Sequence, residues 1–164
     1  MIDVLLDDDV ATITTGAALI PSNEMIASAI HLSCSSAEMH IEKPHVCIRF
    51  AHNAVVQALN AQWRGKDTVT DVLSFPMQEG DPYEADEPLG DIILALPFVL
   101  QEAERLQRES QAHILHLIIH GMLHLLAYDH THDDEARHMQ AIESKVMKSL
   151  GLHEPYACEI HECL

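Results

Sequence analysis

Three histidines in the second half of the chain have the spacing of a metal site. His120 and His124 are four residues apart, and His130 follows six residues later. Residues four apart on a helix lie one turn above each other, so the first two rings can face the same atom. Three histidine ligands with a fourth position left to water are typical of catalytic zinc. The spacing therefore predicts one zinc ion per chain, at which water or hydroxide is activated.

The alternative is that these are ordinary core or surface histidines. It is the better explanation for a single ring, but it weakens for three rings at this spacing on a buried helix. No cysteine lies nearby, which argues against a structural zinc site. His116 is expected to orient a ligand or line the cleft, unless it is a satisfied buried histidine. Asp129 is expected to hold a ligand's ring N–H, or else to stabilise its own turn. His113 is expected at the solvent end of the helix.

The element that positions the rings is predicted to be a buried helix over residues 110–126. Its histidines fall on one stripe, and apolar side chains cover the rest of its circumference. A stripe of polar groups on such a helix must face a cleft or a polar partner. The chain can then turn back through Tyr128 and Asp129 to bring His130 to the same point.

Strands and helices are predicted in alternation along the rest of the chain. Apolar runs predict strands at residues 1–6, 46–50, 69–75 and 90–96. Capping residues and helical spacing predict further helices at residues 22–32, 53–63, 97–108 and 133–149. The last helix is expected to bury Ala136, Met139, Ile142, Val146 and Met147.

This pattern predicts an α+β fold with a small mixed β-sheet of about four strands, packed with five or six helices. A single domain over residues 1–152 is expected, with residues 153–164 as a C-terminal tail.

Composition limits the classes of function. The chain has 164 residues and is 48% hydrophobic, which suits one folded domain. It carries 26 acidic against 9 basic side chains, a formal charge of -17, which argues against binding nucleic acid by bulk charge. The four cysteines form no CxxC pair, and no secretory signal or bilayer-spanning run is visible. A reduced, cytoplasmic, soluble protein is expected.

Three blocks of the sequence carry motifs that point to one family. They are HGMLHLLAYDH at 120–130, WRGKD at 63–67 followed by TDVLSFP at 70–76, and LGDI at 89–92. These blocks resemble the signatures HGxLHLxGYDH, RGKD…T(N/D)VLSFP and LGDI of the YbeY family, bacterial metal-dependent endoribonucleases specific for single strands. The blocks occur in the family order, and the resemblance spans roughly residues 45–152.

The resemblance implies a zinc-dependent endoribonuclease that acts in ribosomal RNA maturation, at the 3′ end of 16S rRNA, and in ribosome quality control. It implies single-stranded RNA, small-subunit ribosomal proteins and an assembly GTPase as partners, but neither DNA nor a membrane. Arg64 matches the family's arginine and is expected to be catalytic, because guanidinium binds phosphate oxygens bidentately. Lys66 is expected to bind substrate phosphate. With Arg49, these residues and the metal are expected to form a small positive cleft.

Two features depart from the family pattern. Ala127 stands where the family usually has glycine. Alanine would be strained at this position if the turn requires a positive φ. The tail carries Cys158, His161 and Cys163, which no family block covers. These three residues are either a second metal site or part of a solvated tail.

Two other functions remain as alternatives. A metzincin-like metalloprotease has the same histidine spacing, but its general-base glutamate is replaced here by Gly121. A non-catalytic, metal-stabilised ribosome-assembly module would suit the acidic surface, which favours basic protein partners.

Overall fold

The computed structural model describes residues 1–12, 19–39, 41–79, 83–84 and 87–156. Within them it has a four-stranded mixed sheet and six helices, which confirms the predicted fold class. The strands are β1 (Ile2–Leu6), β2 (Val46–Ala51), β3 (Val72–Pro76) and β4 (Gly90–Ala95). The helices are α1 (Asp8–Ala11), α2 (Asn23–Ser36), α3 (Asn53–Arg64), α4 (Leu96–Arg105), α5 (Ser110–Leu125) and α6 (Asp133–Ser149).

The sheet has the order β1-β2-β4-β3, with the first three strands parallel and β3 antiparallel to β4 at one edge. In register, Val46 of β2 lies between Ile2 of β1 and Gly90 of β4. Alternate residues of β2 (Val46, Ile48 and Phe50) are fully buried, as their period-two spacing predicts. Helices α1 and α2 both lie between β1 and β2 in the chain, and α2 packs on α5. The main core therefore lies between the sheet and these helices.

Helix α5 lies at the centre of the domain. It contacts α2, α4 and α6 as well as β3 and β4, and nearly all of its apolar side chains are buried. Because other elements pack against most of its circumference, the helix is apolar on almost every side. The prediction of a buried helix with one polar stripe is confirmed.

Two glycines set how closely the elements at β3 approach. A Cβ atom on Gly121 of α5 would lie 2.9 Å from Ser74 Oγ and 3.0 Å from Ile92 Cγ2. The Ser74 hydroxyl also donates a hydrogen bond to the Gly121 carbonyl at 3.0 Å. Gly90 has φ +149°, and a Cβ there would lie 2.3 Å from the Phe75 carbonyl oxygen. The glycines thus allow the histidine-bearing helix to lie directly against β3.

Three predicted element boundaries differ from the observed ones. Helix α2 continues to Ser36, because no glycine or proline interrupts it. Strand β3 begins only at Val72, since the preceding residues bond elsewhere: Asn60 of α3 donates to the Thr68 carbonyl at 2.9 Å. Helix α4 ends at Arg105 rather than near Arg108, because Gln107 adopts φ +56°.

The described part of the predicted tail packs against the domain. Arg108 donates to the Pro155 carbonyl at 2.7 Å, and Ser144 donates to Glu154 at 2.6 Å. The possible second metal site at Cys158, His161 and Cys163 lies outside the described residues. Cys34 and Cys47 are free thiols. None of the helices in the described ranges is both long and apolar enough to cross a membrane.

Candidate functional site

The structure brings the three histidines of the predicted zinc site together. One ring nitrogen from each of His120, His124 and His130 lies within 4.8 Å of the others. The Nε2 atoms of His120 and His124 are 3.1 Å apart, and the His130 ring stacks on the His120 ring with 5.8 Å between centroids. The first two rings are half-buried and the third is exposed. The group is therefore open to solvent on the His130 side.

A tight turn after α5 returns the chain to the first two rings. The Tyr128 N–H donates to the Leu123 carbonyl at 2.9 Å, and the Ala127 N–H donates to the His124 carbonyl at 3.1 Å. These two bonds form a Schellman motif. The motif requires a left-handed conformation at the residue that follows the helix C-cap, which here is Leu126. Ala127 supplies it with φ +70°. The departure from glycine thus falls at a position where alanine is strained.

Asp129 stabilises this turn. Its carboxylate accepts the His130 N–H at 2.7 Å and the Thr131 hydroxyl at 2.8 Å. These bonds lower the pKa of Asp129. Of the two roles considered for this residue, the structure shows the turn-stabilising one, and His130 is positioned through it.

The hydrogen bonds of His120 and His124 leave a lone pair on each Nε2 atom. Nδ1 of His124 donates to the Tyr128 carbonyl at 3.0 Å, and Nδ1 of His120 donates to Glu143 at 2.9 Å. In neutral rings the facing Nε2 atoms are then both acceptors, and at 3.1 Å they repel unless a cation or proton lies with them. Imidazole donors without a carboxylate suit zinc and similar transition metals better than calcium or magnesium. The residues present therefore fit the predicted metal.

His124 is held in the form that binds a metal. Burial, together with the neighbouring His120 and His130, lowers the pKa of His124 to about 4. The ring is therefore neutral near pH 7 and does not have to lose a proton before it binds a cation.

A buried glutamate that the sequence prediction does not include holds His120, the first of the three predicted ligands. Glu143 of α6 lies under the site; its Oε1 accepts from His116 Nε2 at 3.0 Å and from His120 Nδ1 at 2.9 Å. Its Oε2 accepts the Tyr156 hydroxyl at 2.6 Å. Burial alone would raise the pKa of Glu143, but the bonds from the two histidines outweigh it and hold the pKa at about 2. A buried carboxylate bonded to a ligand's second nitrogen fixes that ring and raises its basicity.

The sequence does contain a signal for Glu143. It lies four residues after Met139 and three before Val146, within the apolar stripe predicted for the last helix. A charged residue in a buried stripe requires a partner, and the neighbouring helix carries a stripe of histidines. Joining the two observations would have found the pair.

The remaining histidines of the stripe do not line the cleft. His116 contacts Glu143 and lies against the Tyr156 ring, so it reaches His120 only through the carboxylate. The expectation that His113 sits at the solvent end of the helix is wrong. His113 is 3% exposed and bonds to Glu102 at 2.7 Å, because α4 packs over this end of α5.

Glu102 bonds to Asp71 as well as to His113, and Asp71 lines the cleft beside the three histidines. The hydrogen bond from His113 lowers the pKa of Glu102. Burial and the neighbouring Glu102 carboxylate raise the pKa of Asp71, which lines the cleft. Asp71 is therefore the member of the pair that takes up a proton first as the pH falls.

A single cleft of about 890 Å³ joins the histidine group to the residues of the RGKD block. Its lining includes residues 68–76, the three histidines and the turn at 127–129. Arg64 and Lys66, at the end of α3, line the same cleft. Both side chains are exposed, and no carboxylate pairs with either among the described residues.

Arg49 does not belong to this positive cleft, so that expectation is wrong. Its guanidinium forms two bonds with Asp7, at 2.8 and 3.0 Å. Asp7 follows directly after β1, the strand that pairs with β2, and the pair lies away from the cleft. Two of the chain's nine basic side chains therefore line the cleft.

Comparisons with known proteins show what the chain as a whole resembles. Residues 17–151 match the model of a family described as Endoribonuclease YbeY. A Rhizobium etli protein named Endoribonuclease YbeY is 42% identical over 132 residues, covering 79% of this chain and 77% of its own. One of the same name from Azorhizobium caulinodans is 38% identical over 156 residues, covering 95% and 96% of the two chains.

A solved structure supports the fold. The solution structure of a Thermotoga maritima protein matches with a TM-score of 0.55 and 22% identity. The match covers 92% of this chain and 91% of that one. At this identity the likeness shows a shared architecture.

Proposed function

Because the chain belongs to the Endoribonuclease YbeY family, we propose that it is a zinc-dependent endoribonuclease that cleaves single-stranded RNA. The observation that carries the proposal is the meeting of the three imidazoles with Arg64 and Lys66 in one cleft. A set of nitrogen ligands alone fits many metalloenzymes. Two cations beside it, on a body of charge -17, fit a phosphodiester substrate in particular.

In this proposal His120, His124 and His130 hold the zinc ion through their ring nitrogens. Glu143 and the Tyr128 carbonyl fix the first two rings, and the turn stabilised by Asp129 presents the third. Zinc bound there lowers the pKa of water and polarises a phosphoryl oxygen. The chain's contribution is to keep the His124 ring neutral and to aim the three rings at one point.

Arg64 is proposed as the residue that stabilises charge on the reacting phosphate. Guanidinium offers planar paired donors that stay charged at any working pH. Its exposed position on the cleft wall leaves these donors available to the substrate. Lys66, two residues on, is proposed to bind a phosphate of the same strand, which would fix the register of the RNA.

The proposed biological role is maturation of ribosomal RNA, including the 3′ end of 16S rRNA, and ribosome quality control in the cytoplasm. Small-subunit ribosomal proteins and an assembly GTPase are the proposed partners. The acidic body supports this setting, because it repels free RNA and attracts basic ribosomal proteins. A protein partner that delivers the RNA would offset the repulsion.

A metalloprotease has no support from the site. Gly121 occupies the position of the protease glutamate. A Cβ atom there would lie about 3 Å from Ser74 Oγ and from Ile92 Cγ2. The helix therefore has no room for a larger side chain there. The cleft also carries unpaired cations, which a peptide bond does not require.

The test is cleavage of a single-stranded RNA by zinc-loaded protein, with metal analysis of each variant. His124→Ala should lose both zinc and cleavage, whereas the matched control His132→Ala, an exposed histidine outside the group, should keep both. Arg64→Ala should keep zinc but lose about a hundredfold or more in kcat. The matched control Arg49→Ala, whose guanidinium faces Asp7, should keep its activity.

Three results would overturn the proposal. Wild-type cleavage by His124→Ala and Arg64→Ala would show that another site acts. Cleavage of casein but not RNA would favour a protease. A zinc-loaded wild-type protein that binds small-subunit proteins and cleaves nothing would be an assembly module.

A further inference from the structure

The chain's single tryptophan stands in the cleft with its ring open to solvent. Trp63 is the next-to-last residue of α3 and is 65% exposed. It lines the same cleft as Arg64 and the histidine group. Tryptophan is highly buried on average, and exposed aromatic surface in a concave site is characteristic of a binding surface.

The ring of Trp63 is supported rather than loose. Phe75 of β3 contacts it in a T-shaped arrangement, with 6.4 Å between centroids and 71° between planes. The contact joins the end of α3 to the edge strand of the sheet, so two rigid elements hold the ring. Most of its surface nevertheless remains uncovered. An aromatic ring held in this way is already organised for a partner and loses little entropy on binding.

The neighbours of Trp63 define what that partner is. Arg64 follows directly and Lys66 is three residues on, and both line the cleft without a carboxylate partner among the residues described. A flat apolar ring beside two free cations matches the two parts of a nucleotide, the base and the phosphate. Arrays of this kind bind single strands, because bases stack on aromatic side chains while cations follow the backbone.

We propose that Trp63 is a stacking platform for an unpaired nucleobase adjacent to the phosphate held by Arg64. The inference rests on the proposed function and specifies part of its substrate. A base within a duplex already stacks on its neighbours and is not free to cover the ring. Trp63 therefore acts in binding and favours single-stranded over double-stranded RNA, without reference to the identity of the base.

Tryptophan fluorescence tests the contact without depending on cleavage. Because the chain has one tryptophan, its emission reports Trp63 alone. Zinc-loaded protein is titrated with a nuclease-resistant oligoadenylate, which should quench the emission on binding. The same backbone without bases, and a duplex of equal length, should leave the emission nearly unchanged. Equal quenching by the abasic backbone would refute base stacking.

Kinetics of variants test the contribution to binding. Trp63→Ala should raise KM for single-stranded RNA about tenfold with kcat nearly unchanged, since stacking contributes to ground-state and transition-state binding alike. Trp63→Tyr should recover most of the loss. Met77→Ala is the matched control: it removes a side chain that is 57% exposed and does not line the cleft, and KM should stay at the wild-type value.

The two proposals fail in different ways. If wild-type protein cleaves RNA and Trp63→Ala does so with unchanged KM, the stacking inference is wrong while the nuclease stands. If wild-type protein cleaves no RNA, the nuclease proposal is wrong, and the fluorescence titration still decides whether a base stacks on Trp63. A thermal unfolding curve for Trp63→Ala that matches wild type ensures that its raised KM reflects binding.

Discussion

Replacement of Glu143 by glutamine should weaken zinc binding while the fold is retained. The side chain keeps its shape and loses its charge. One oxygen of the amide can still accept from His116 and His120, and the Tyr156 hydroxyl can accept from the new NH2 group, since a hydroxyl both donates and accepts. The two histidine donors therefore keep their acceptor, and the extra N–H that the amide adds is present in the metal-free and the zinc-loaded protein alike. The variant therefore isolates the effect of the carboxylate's charge on His120.

The expected size follows from the bond to His120. A hydrogen bond to a charged group contributes about 1.5–3 kcal/mol and a neutral one about 0.5–1.5 kcal/mol. The midpoints of these ranges differ by about 1.3 kcal/mol. Because a cation on Nε2 of His120 makes its Nδ1–H a stronger donor, this difference falls mainly on the zinc-bound state and corresponds to about a tenfold increase in the Kd for zinc. Glu143→Ala, which removes the acceptor as well, should approach a hundredfold increase.

The assay is zinc affinity by competition with a chromogenic chelator, with thermal unfolding of the metal-free proteins alongside. Glu102→Gln is the matched control, because Glu102 forms the same kind of pair with His113 on the same helix but contacts no candidate ligand. Its Kd for zinc should stay within about twofold of wild type. The reasoning fails if Glu143→Gln binds zinc as tightly as wild type, or if Glu102→Gln weakens binding equally.

Three further predictions concern the scaffold. Ala127→Gly should raise the free energy of unfolding by about 1 kcal/mol in urea titrations, because it relieves φ +70° in the turn before His130; a lower value would contradict the assigned strain. Gly90→Ala should lower it by about 3 kcal/mol or more through contact with the Phe75 carbonyl, whereas Gly151→Ala, at φ +74° in open space, should lower it by only about 1 kcal/mol; equal losses would exclude the close approach. Cys34, whose pKa burial raises to about 11, should resist iodoacetamide at about pH 8 until urea is added; peptide mapping that finds it alkylated in the folded protein would contradict its burial.

The local part of the site could be predicted from the sequence because its geometry is local. His120 and His124 share a helix face by spacing alone, and His130 returns within six residues through a turn. The sequence also predicts that Ala127 lies in this turn, because the chain must reverse between His124 and His130. Short apolar runs in the sequence predict buried strands such as β2 and β4.

The remaining contacts depend on tertiary packing, which periodicity does not encode. Glu143 meets His120 across 23 residues of chain, and Arg49 meets Asp7 across 42. The sequence marks each residue as polar but does not show its partner, so the prediction from sequence includes Arg49 in the cleft and leaves out Glu143. The end of α4 differs from its predicted position for a different reason: Gln107 takes a left-handed conformation that its residue type does not signal.

The most direct measurement is the anomalous difference density of a crystal of the zinc-loaded protein at the zinc absorption edge. One peak per chain is expected, bonded to ring nitrogens of His120, His124 and His130 and open to the cleft that holds Arg64. A peak elsewhere, or three rings separately bonded to protein carbonyls with no peak among them, would contradict the account.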